Sequence, residues 1–144
     1  MTIDVVILAA GKGTRMRSSS PKVLQPLAGK PLLAHVLDTA RTLAGNPRIH
    51  VTVGYGAELV RATFAHEGEI CWHHQERQLG TGDAVRQALP ALREAERVLV
   101  LYGDVPLLRV ETLQQFLHGV PADVLGLCTG DLTDPQGYGR ILRS

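Results

Sequence analysis

Continuous apolar runs alternate along this chain with stretches in which apolar residues recur at helical spacing. The first run, residues 4–9, is apolar at every position after Asp4, which is typical of a strand buried on both faces. Comparable runs predict four further strands, at residues 49–53, 70–73, 97–101 and 124–128. A glycine-rich turn at residues 137–140 predicts the start of another strand.

Helices are predicted between these strands. Apolar residues between Pro31 and Gly45 fall on one helical face, and Pro31 suits the first turn of a helix. Shorter patterns predict helices at residues 58–65, 81–89 and 113–119. Strands separated by helices indicate right-handed βαβ units. The chain is therefore expected to have an α/β, Rossmann-like fold, with a mainly parallel sheet and helices on both faces.

The predicted topology brings three polar features to one edge of the sheet. The first strand ends at a glycine-rich loop, residues 11–13, the third ends near Gln75, and the fourth ends at Asp104. In parallel sheets of this kind, ligands bind beyond the carboxyl ends of the strands. We therefore expect a binding site at this edge.

Composition and charge exclude several classes of function. At 144 residues the chain has the length of one domain, and its net charge of +1 lacks the basic excess that nonspecific binding to nucleic acid or membranes requires. No apolar run approaches the roughly 20 residues of a membrane span. Cys71 and Cys128 form no metal-binding or disulfide pattern, so both are expected to be buried, reduced thiols in a cytoplasmic protein.

Residues 11–31 form a long irregular stretch that is rich in glycine. The basic residues near its start are Lys12, Arg15, Arg17 and Lys22. Backbone N–H groups and positive charge at the end of a buried strand favour phosphate binding, although an ordinary tight turn is the alternative. Neither common fingerprint fits. Met16 stands where a Rossmann motif has its third glycine, and Pro31 follows Gly29-Lys30 where a P-loop requires Ser or Thr.

Two charged residues near this edge each admit a structural alternative. Asp104 ends a strand rich in valine and leucine, and its carboxylate suits Mg²⁺ where substrate phosphates supply other ligands. An Asp before Val-Pro is also a good turn former. Lys22 follows Pro21, whose restricted backbone can aim the ammonium group, although most lysines are solvated at the surface.

Gln75 and the segment 79–82 suit a flat, polar ligand. The side chain of Gln75 carries both a donor and an acceptor for the edge of a base. Gly80 and Gly82 allow the backbone to approach such a ligand closely. The alternative is a loop that leads to a helix capped by Thr81.

The six histidines show no catalytic pattern. His73 and His74 are adjacent, so on a strand they face opposite sides, and the other four are scattered along the chain. No Ser-His-Asp or Cys-His arrangement is present, so a covalent mechanism has no support.

Several longer motifs resemble those of a known family. The chain resembles the signature of sugar-nucleotide pyrophosphorylases at residues 8–16, 21–24 and 28–33. A narrower resemblance rests on Gln75 and on residues 78–82, 102–107 and 137–141. These residues resemble the N-terminal uridyltransferase domain of the bacterial bifunctional N-acetylglucosamine-1-phosphate uridyltransferase/glucosamine-1-phosphate acetyltransferases. The resemblance extends along the whole chain and implies a nucleotide-diphospho-sugar transferase fold.

The resemblance implies a reaction and a set of residues for it. The reaction is Mg²⁺-dependent uridylyl transfer from UTP to N-acetylglucosamine 1-phosphate, giving pyrophosphate and UDP-N-acetylglucosamine for cell-wall synthesis. Arg15 and Lys22 would be catalytic by neutralising the phosphates, and Asp104 would bind the metal. The implied substrate contacts are Leu8, Ala9, Ala10 and Gly11 for the nucleotide, Gln75, Gly80 and Thr81 for uracil, Tyr102 and Gly103 for the ribose and sugar side, and Gly139 for the sugar, with Lys22 and Asp104 at the phosphates.

Two departures from the family pattern are visible. Asp83 stands where the family usually has His after Gly-Thr-Gly. The family's domain also continues beyond this length, with sugar-binding Glu and Asn residues, a second Mg²⁺ ligand and then an acetyltransferase β-helix that forms trimers. Residues 1–144 are therefore expected to be the N-terminal part of a uridyltransferase domain, truncated on its C-terminal side. A homotrimer is expected only for the full-length family protein. Another sugar-phosphate nucleotidyltransferase, or a noncatalytic nucleotide-binding fragment, is the alternative.

Overall fold

The N-terminal apolar run forms the central strand of a parallel sheet. The structure, a computed structural model, describes residues 2–13, 18–92, 94–121, 123–139 and 141–142. The central strand, β1, spans Ile3–Ala9, and all of its residues are buried. Because both faces of β1 are covered, the strand carries apolar side chains at consecutive positions instead of alternating with polar ones.

The other elements follow in chain order. A short hairpin pairs β2 (Pro26–Leu27) with β3 (Lys30–Pro31), and the main sheet continues with β4 (Arg48–Val53), β5 (Ile70–His74) and β6 (Arg97–Tyr102). The α-helices are α1 (Leu32–Arg41), α2 (Ala57–Thr63), α3 (Thr81–Ala88) and α4 (Val110–Gly119), and 3₁₀ turns occupy Lys22–Leu24 and Leu89–Ala91. The first four predicted strands are thus confirmed. Of the helices in the described ranges, none has the length and apolar character needed to cross a membrane.

The strand order of the main sheet is β5-β4-β1-β6, and all neighbouring strands are parallel. Val5 at the centre of β1 pairs with Ile49 of β4 on one side and with Leu99 of β6 on the other. The prediction of a mainly parallel α/β sheet is confirmed. Its carboxyl ends all point to the edge where the sequence places the glycine-rich loop, Gln75 and Asp104.

Helices cover both faces of the sheet. Alternate residues of β1 point to opposite sides, so the two faces of this strand pack against different helices. Val5 and Ile7 pack in a large core with apolar residues from α1, α2 and α4. Val6 and Leu8 pack in a smaller core with Ala84 and other residues of α3 and the turn after it. This arrangement places the start of α3 beside the carboxyl end of β1.

The predicted strand at residues 124–128 is wrong, since these residues form no strand. Leu125 is 86% exposed. Gly126 lies instead against the end of α4, where an added Cβ would be 2.5 Å from Val120 Cγ2 and 3.0 Å from Phe116 Cζ. An apolar run becomes a strand where a neighbour takes its backbone hydrogen bonds, and within the described part of the chain the main sheet ends at β6.

The predicted turn at residues 137–140 is described as far as residue 139. Tyr138 N donates a hydrogen bond to Pro135 O at 3.1 Å, as in a turn. The strand expected after it is not formed by residues 141–142, and Arg140 lies outside the described residues.

Both cysteines are free thiols, but the prediction that they are buried is wrong. Cys71 is exposed on β5, an edge strand of the sheet. Cys128 is exposed because it lies in the segment 124–128, which does not join the sheet. The exposure of both thiols is therefore set by where they lie in the fold, although cysteine is usually a buried, apolar residue.

A polar cluster is buried on the α3 side of the sheet. Asp4 is 1% exposed and accepts hydrogen bonds from Arg48, Nε to Oδ1 at 2.9 Å and Nη2 to Oδ2 at 2.8 Å. His50 Nε2 lies 3.4 Å from Asp4 Oδ2, and His50 Nδ1 lies 3.0 Å from His73 Nε2. The parallel register pairs His50 with Cys71, so His73 lies two residues further along on the same face. Histidines that are scattered in the sequence are therefore neighbours in the fold.

Burial lowers the pKa of His50, because a charged imidazolium loses its hydration there, and the nearby Asp4 carboxylate opposes part of this shift. Burial also lowers the pKa of His73, and His50 adds to that effect. Both rings therefore stay neutral at pH values where the same histidines of the unfolded chain take up protons. Because the unfolded state binds more protons, the stability that these two histidines contribute decreases as the pH falls below the ordinary histidine pKa of 6.5.

His50→Gln should reduce this acid dependence. The free energy of unfolding is expected to fall less steeply from about pH 6.5 to about pH 5 than in the unchanged chain, because one source of proton uptake on unfolding is removed. Urea unfolding followed by circular dichroism at each pH measures the slope. His66→Gln, at an exposed histidine, is the control and should leave the slope unchanged. The same slope in His50→Gln as in the control would contradict the prediction.

Candidate active site

One cavity lies where the carboxyl ends of β1, β5 and β6 meet the start of α3. Its volume is about 400 Å³, within the usual range of small-molecule sites. The site residues predicted from the sequence that line it are Leu8, Ala9, Ala10, Gly11, Lys22, Gln75, Gly80, Thr81, Tyr102 and Asp104. The fold therefore brings together residues from four separate stretches of the chain.

Gly13 brings the glycine-rich loop against Lys22. Its φ of +60° lies in the left-handed region, and a Cβ at this position would be 2.7 Å from Lys22 Cβ. Glycine alone fits both the backbone conformation and the close contact. Gly11 has open space where a Cβ would lie, and it lines the cavity together with Gly13.

Lys22 is held at the cavity by the residue before it. Pro21 is fully buried and packs against Gly56, where an added Cβ would lie 2.4 Å from Pro21 Cγ. Lys22 begins the following 3₁₀ turn, and its Nζ donates a hydrogen bond to Asp104 Oδ2 at 2.6 Å. The side chains of Lys22 and Asp104 are 38% and 30% exposed. Lys22 is therefore not a freely solvated surface lysine but half of an ion pair on the cavity wall.

Asp104 follows β6 after a close contact between backbones. Gly103 N donates a hydrogen bond to Leu8 O at 2.9 Å, and a Cβ on Gly103 would lie 3.1 Å from that oxygen. Gly103 thus fixes the end of β6 against β1 and does not itself line the cavity. The turn after β6 is closed by Val105 N, which donates to Tyr102 O at 3.2 Å. The carboxylate of Asp104 is therefore not needed to make the turn.

Asp104 offers one carboxylate to a metal ion. Within the described parts of the chain, no group of three or more His, Cys, Asp or Glu side chains is placed to hold a metal. One or two carboxylates are the usual protein ligands of Mg²⁺ where substrate phosphates supply other oxygens. Asp104 therefore fits a metal that arrives with a phosphorylated ligand, and does not fit an all-protein metal centre.

Gln75 lies across the cavity from this ion pair, just beyond β5, and is 4% exposed. Its backbone N donates to Val53 O at 2.8 Å. Its side-chain Nε2 donates to Gly80 O at 3.1 Å and to Asp83 Oδ2 at 2.9 Å. Both N–H groups of the amide are therefore used within the protein, which leaves Oε1 for a ligand.

Helix α3 begins next to Gln75, and its first turn lines the cavity. Gly80 precedes the helix with a φ of +103°, and Thr81 is the first helical residue. The alternative in which Thr81 caps the helix is wrong, because Gly80 occupies the cap position and no side chain caps this end. Backbone N–H groups at an uncapped helix start can donate to a ligand.

Gln78 is a site residue that the sequence did not single out. Its Nε2 donates to Ala10 O at 2.9 Å, and Tyr55 N donates to the same oxygen at 3.3 Å. Gln78 therefore ties the loop after β5 to the loop after β1, and it lines the cavity. The one sequence signal for Gln78 was its place in the motif 78–82. The hydrogen bond itself could not be predicted, because it joins residues 68 positions apart.

Of the other predicted residues, those that the structure describes do not line this cavity. Arg15, together with Arg17, lies outside the described residues. Gly139 is exposed in the C-terminal segment and does not line the cavity. Lys12 Nζ lies 5.5 Å from the centre of the Tyr55 ring, beside a neighbouring depression.

The fold and this cavity define a class of protein. Residues 5–138 match the family of MobA-like NTP transferase domains, and the chain belongs to this family of nucleotidyltransferases. Its relatives include the bifunctional protein GlmU of Acidithiobacillus ferrooxidans, 59% identical over 143 residues, and that of Pseudomonas aeruginosa, 57% identical over 143 residues. Each comparison covers 99% of this chain and 31% of the relative's own length. The resemblance inferred from the motifs is confirmed.

Solved structures share the fold. Rv0371c from Mycobacterium tuberculosis H37Rv is 29% identical with a TM-score of 0.68, over 82% of this chain and 59% of that one. A CMP:2-keto-3-deoxy-manno-octonic acid synthetase complexed with CTP is 25% identical with a TM-score of 0.66, over 83% of this chain and 47% of that one. The fold therefore recurs in a protein whose solved structure is complexed with CTP.

Gly56→Ala should disturb the packing that holds Lys22. At a φ of +66° alanine is strained and its Cβ would overlap Pro21, so the free energy of unfolding is expected to fall by about 1–3 kcal/mol. Urea unfolding measures this loss. Gly119→Ala is the matched control, since its Cβ would meet nothing within 4 Å, and it should not destabilise the chain. If Gly56→Ala proves as stable as that control, the packing described here is wrong.

Proposed function

We propose that this chain forms the nucleotide-binding part of an enzyme that transfers a uridylyl group from UTP to N-acetylglucosamine 1-phosphate. The products are pyrophosphate and UDP-N-acetylglucosamine, which is used in cell-wall synthesis. The observation that carries the proposal is the position of Lys22, Asp104 and Gln75 around one cavity at the carboxyl edge of the sheet. Similarity to relatives named bifunctional protein GlmU supports the same assignment.

The two sides of the cavity suit the two ends of a nucleoside triphosphate. Lys22 and the backbone of Gly11 and Gly13 lie on one side and suit the phosphates. Gln75 and the first turn of α3 lie on the other side and suit the base, with Gly80 leaving room for a flat ring. Tyr102 lies at the end of β6 on the cavity wall and suits the ribose.

The Lys22–Asp104 ion pair offsets the charge of Lys22 before a ligand binds. Both side chains are partly exposed, so the pair is weak enough to exchange partners. The phosphates of the ligand compete with Asp104 for the ammonium group of Lys22. Asp104 would then hold Mg²⁺ together with phosphate oxygens, and bound Mg²⁺ supplies further neutralisation of the phosphate charge.

The chemistry requires positioning and charge, and no covalent intermediate on the protein. A phosphate oxygen of the sugar 1-phosphate attacks the α-phosphorus in line, the bond from that phosphorus to the bridging oxygen of the β-phosphate breaks, and pyrophosphate leaves. Lys22 holds the phosphates during this step, and Arg15 from the same loop region is proposed to add positive charge.

A different base or sugar is the principal alternative. One solved structure with this fold is complexed with CTP, so the fold alone does not select uracil. Competition of UTP against CTP, GTP and dTTP in a pyrophosphate-release assay distinguishes these substrates. A noncatalytic nucleotide-binding chain is the other alternative, and calorimetric binding of UTP without any release of pyrophosphate would identify it.

Asp104→Asn tests the phosphate side of the site. A carboxamide is a poorer ligand for Mg²⁺ than a carboxylate, so uridylyl transfer by the protein that contains this chain is expected to fall by about 100-fold or more. Pyrophosphate release from UTP and N-acetylglucosamine 1-phosphate, measured while Mg²⁺ is titrated, gives the rate. Because the ion pair is partly exposed, the free energy of unfolding should change by about 1 kcal/mol or less.

Asp38→Asn is the matched control for this variant. Asp38 pairs with Lys30 at the surface, so the change also removes one carboxylate from an ion pair but leaves the cavity untouched. Its turnover should equal that of the unchanged protein. Undiminished Mg²⁺-dependent turnover in Asp104→Asn would overturn the metal assignment.

A further inference from the structure

Asp83 lies in the first turn of α3 and connects that helix to Gln75. Its side chain is 11% exposed, and its two oxygens have different partners. Oδ1 accepts a hydrogen bond from Arg86 Nη2 at 2.9 Å, and Oδ2 accepts one from Gln75 Nε2 at 2.9 Å. Gln87 Nε2 contacts the same carboxylate at 3.4 and 3.5 Å. The carboxylate is thus held in place, with one oxygen directed at Gln75.

The partners of Gln75 determine which way its amide points. The two groups that face Nε2 are the backbone oxygen of Gly80 and the carboxylate of Asp83. Both of these groups only accept hydrogen bonds, so the reversed amide, with Oε1 in this position, would place oxygen against oxygen. Oε1 accepts no hydrogen bond from any residue that the structure describes, and Gln75 lines the cavity.

We propose that Asp83 is a positioning residue that sets base selectivity by holding the Gln75 amide with its oxygen toward the ligand. An acceptor in this position favours a pyrimidine that presents a ring N–H, as uracil and thymine do at N3. It disfavours cytosine, whose N3 is itself an acceptor and would be left without a donor. The inference rests on the proposed function, in which the base lies against Gln75.

Gly80 alone holds this orientation less firmly, because it supplies one acceptor in place of two. Its single oxygen binds one N–H of the amide, and without the carboxylate of Asp83 the second N–H of Gln75 is free to turn toward the cavity. A free N–H there can donate to N3 of cytosine. Asparagine at position 83 keeps an oxygen for Gln75, and its own NH₂ group can face Arg86, whose side chain is 70% exposed and can move into solvent.

The test is the ratio of the dissociation constants of CTP and UTP, measured by calorimetry without sugar phosphate so that binding is read without turnover. In the protein that contains this chain, we expect Asp83→Ala to lower the preference for UTP about tenfold, through tighter CTP binding, weaker UTP binding or both. Asp83→Asn should keep most of the preference. Arg86→Ala is the matched control, because it removes the exposed ion pair of Asp83 but leaves the bond to Gln75, and it should keep the preference in full.

The outcomes separate this inference from the function on which it rests. If the unchanged protein does not bind UTP, the proposed function fails and the inference fails with it. If UTP binds and Asp83→Ala keeps the same UTP preference, the inference alone is overturned. Loss of UTP and CTP binding in equal proportion, with a lower melting temperature, would show that Asp83 is merely structural and would also overturn it.

Discussion

The end of β1 is the constraint on which the site depends. The strand is hydrogen-bonded on both sides and buried on both faces, so its carboxyl end cannot shift without disturbing the core. Backbone oxygens at this strand end and just beyond it anchor the neighbouring loops. Leu8 O accepts a hydrogen bond from Gly103 N, and Ala10 O accepts one from Gln78 Nε2. One rigid strand end therefore fixes the separation between the loops after β5 and β6, which form opposite walls of the cavity.

The two sides of the cavity differ in how firmly their side chains are held. Lys22 and Asp104 are about one-third exposed and hold each other, so a ligand that carries charge can separate them. Gln75 is 4% exposed and uses both N–H groups within the protein. A site of this kind combines an adaptable phosphate side with a rigid base side. Rigidity at the base side is what discrimination between bases requires, because an amide that rotates freely can serve either as donor or as acceptor.

The buried Asp4–His50–His73 cluster lies away from this machinery. Asp4 is in the first half of β1, while the cavity lies at the opposite end of that strand. The same parallel register that aligns the carboxyl ends of the strands also aligns His50 with His73. The cluster therefore makes the fold sensitive to acid without placing a titrating histidine at the cavity.

The order of strands and helices, the parallel sheet and the edge that carries the cavity were determined by the sequence itself, because apolar periodicity and the handedness of βαβ units are local properties. The strand expected at residues 124–128 failed because an apolar run does not show whether a neighbouring strand is there to pair with it. The ion pair between Lys22 and Asp104 joins residues 82 positions apart, and the contact between His50 and His73 depends on register. Only the tertiary structure decides such contacts, since each depends on a distance of a few ångströms that packing and strand pairing set.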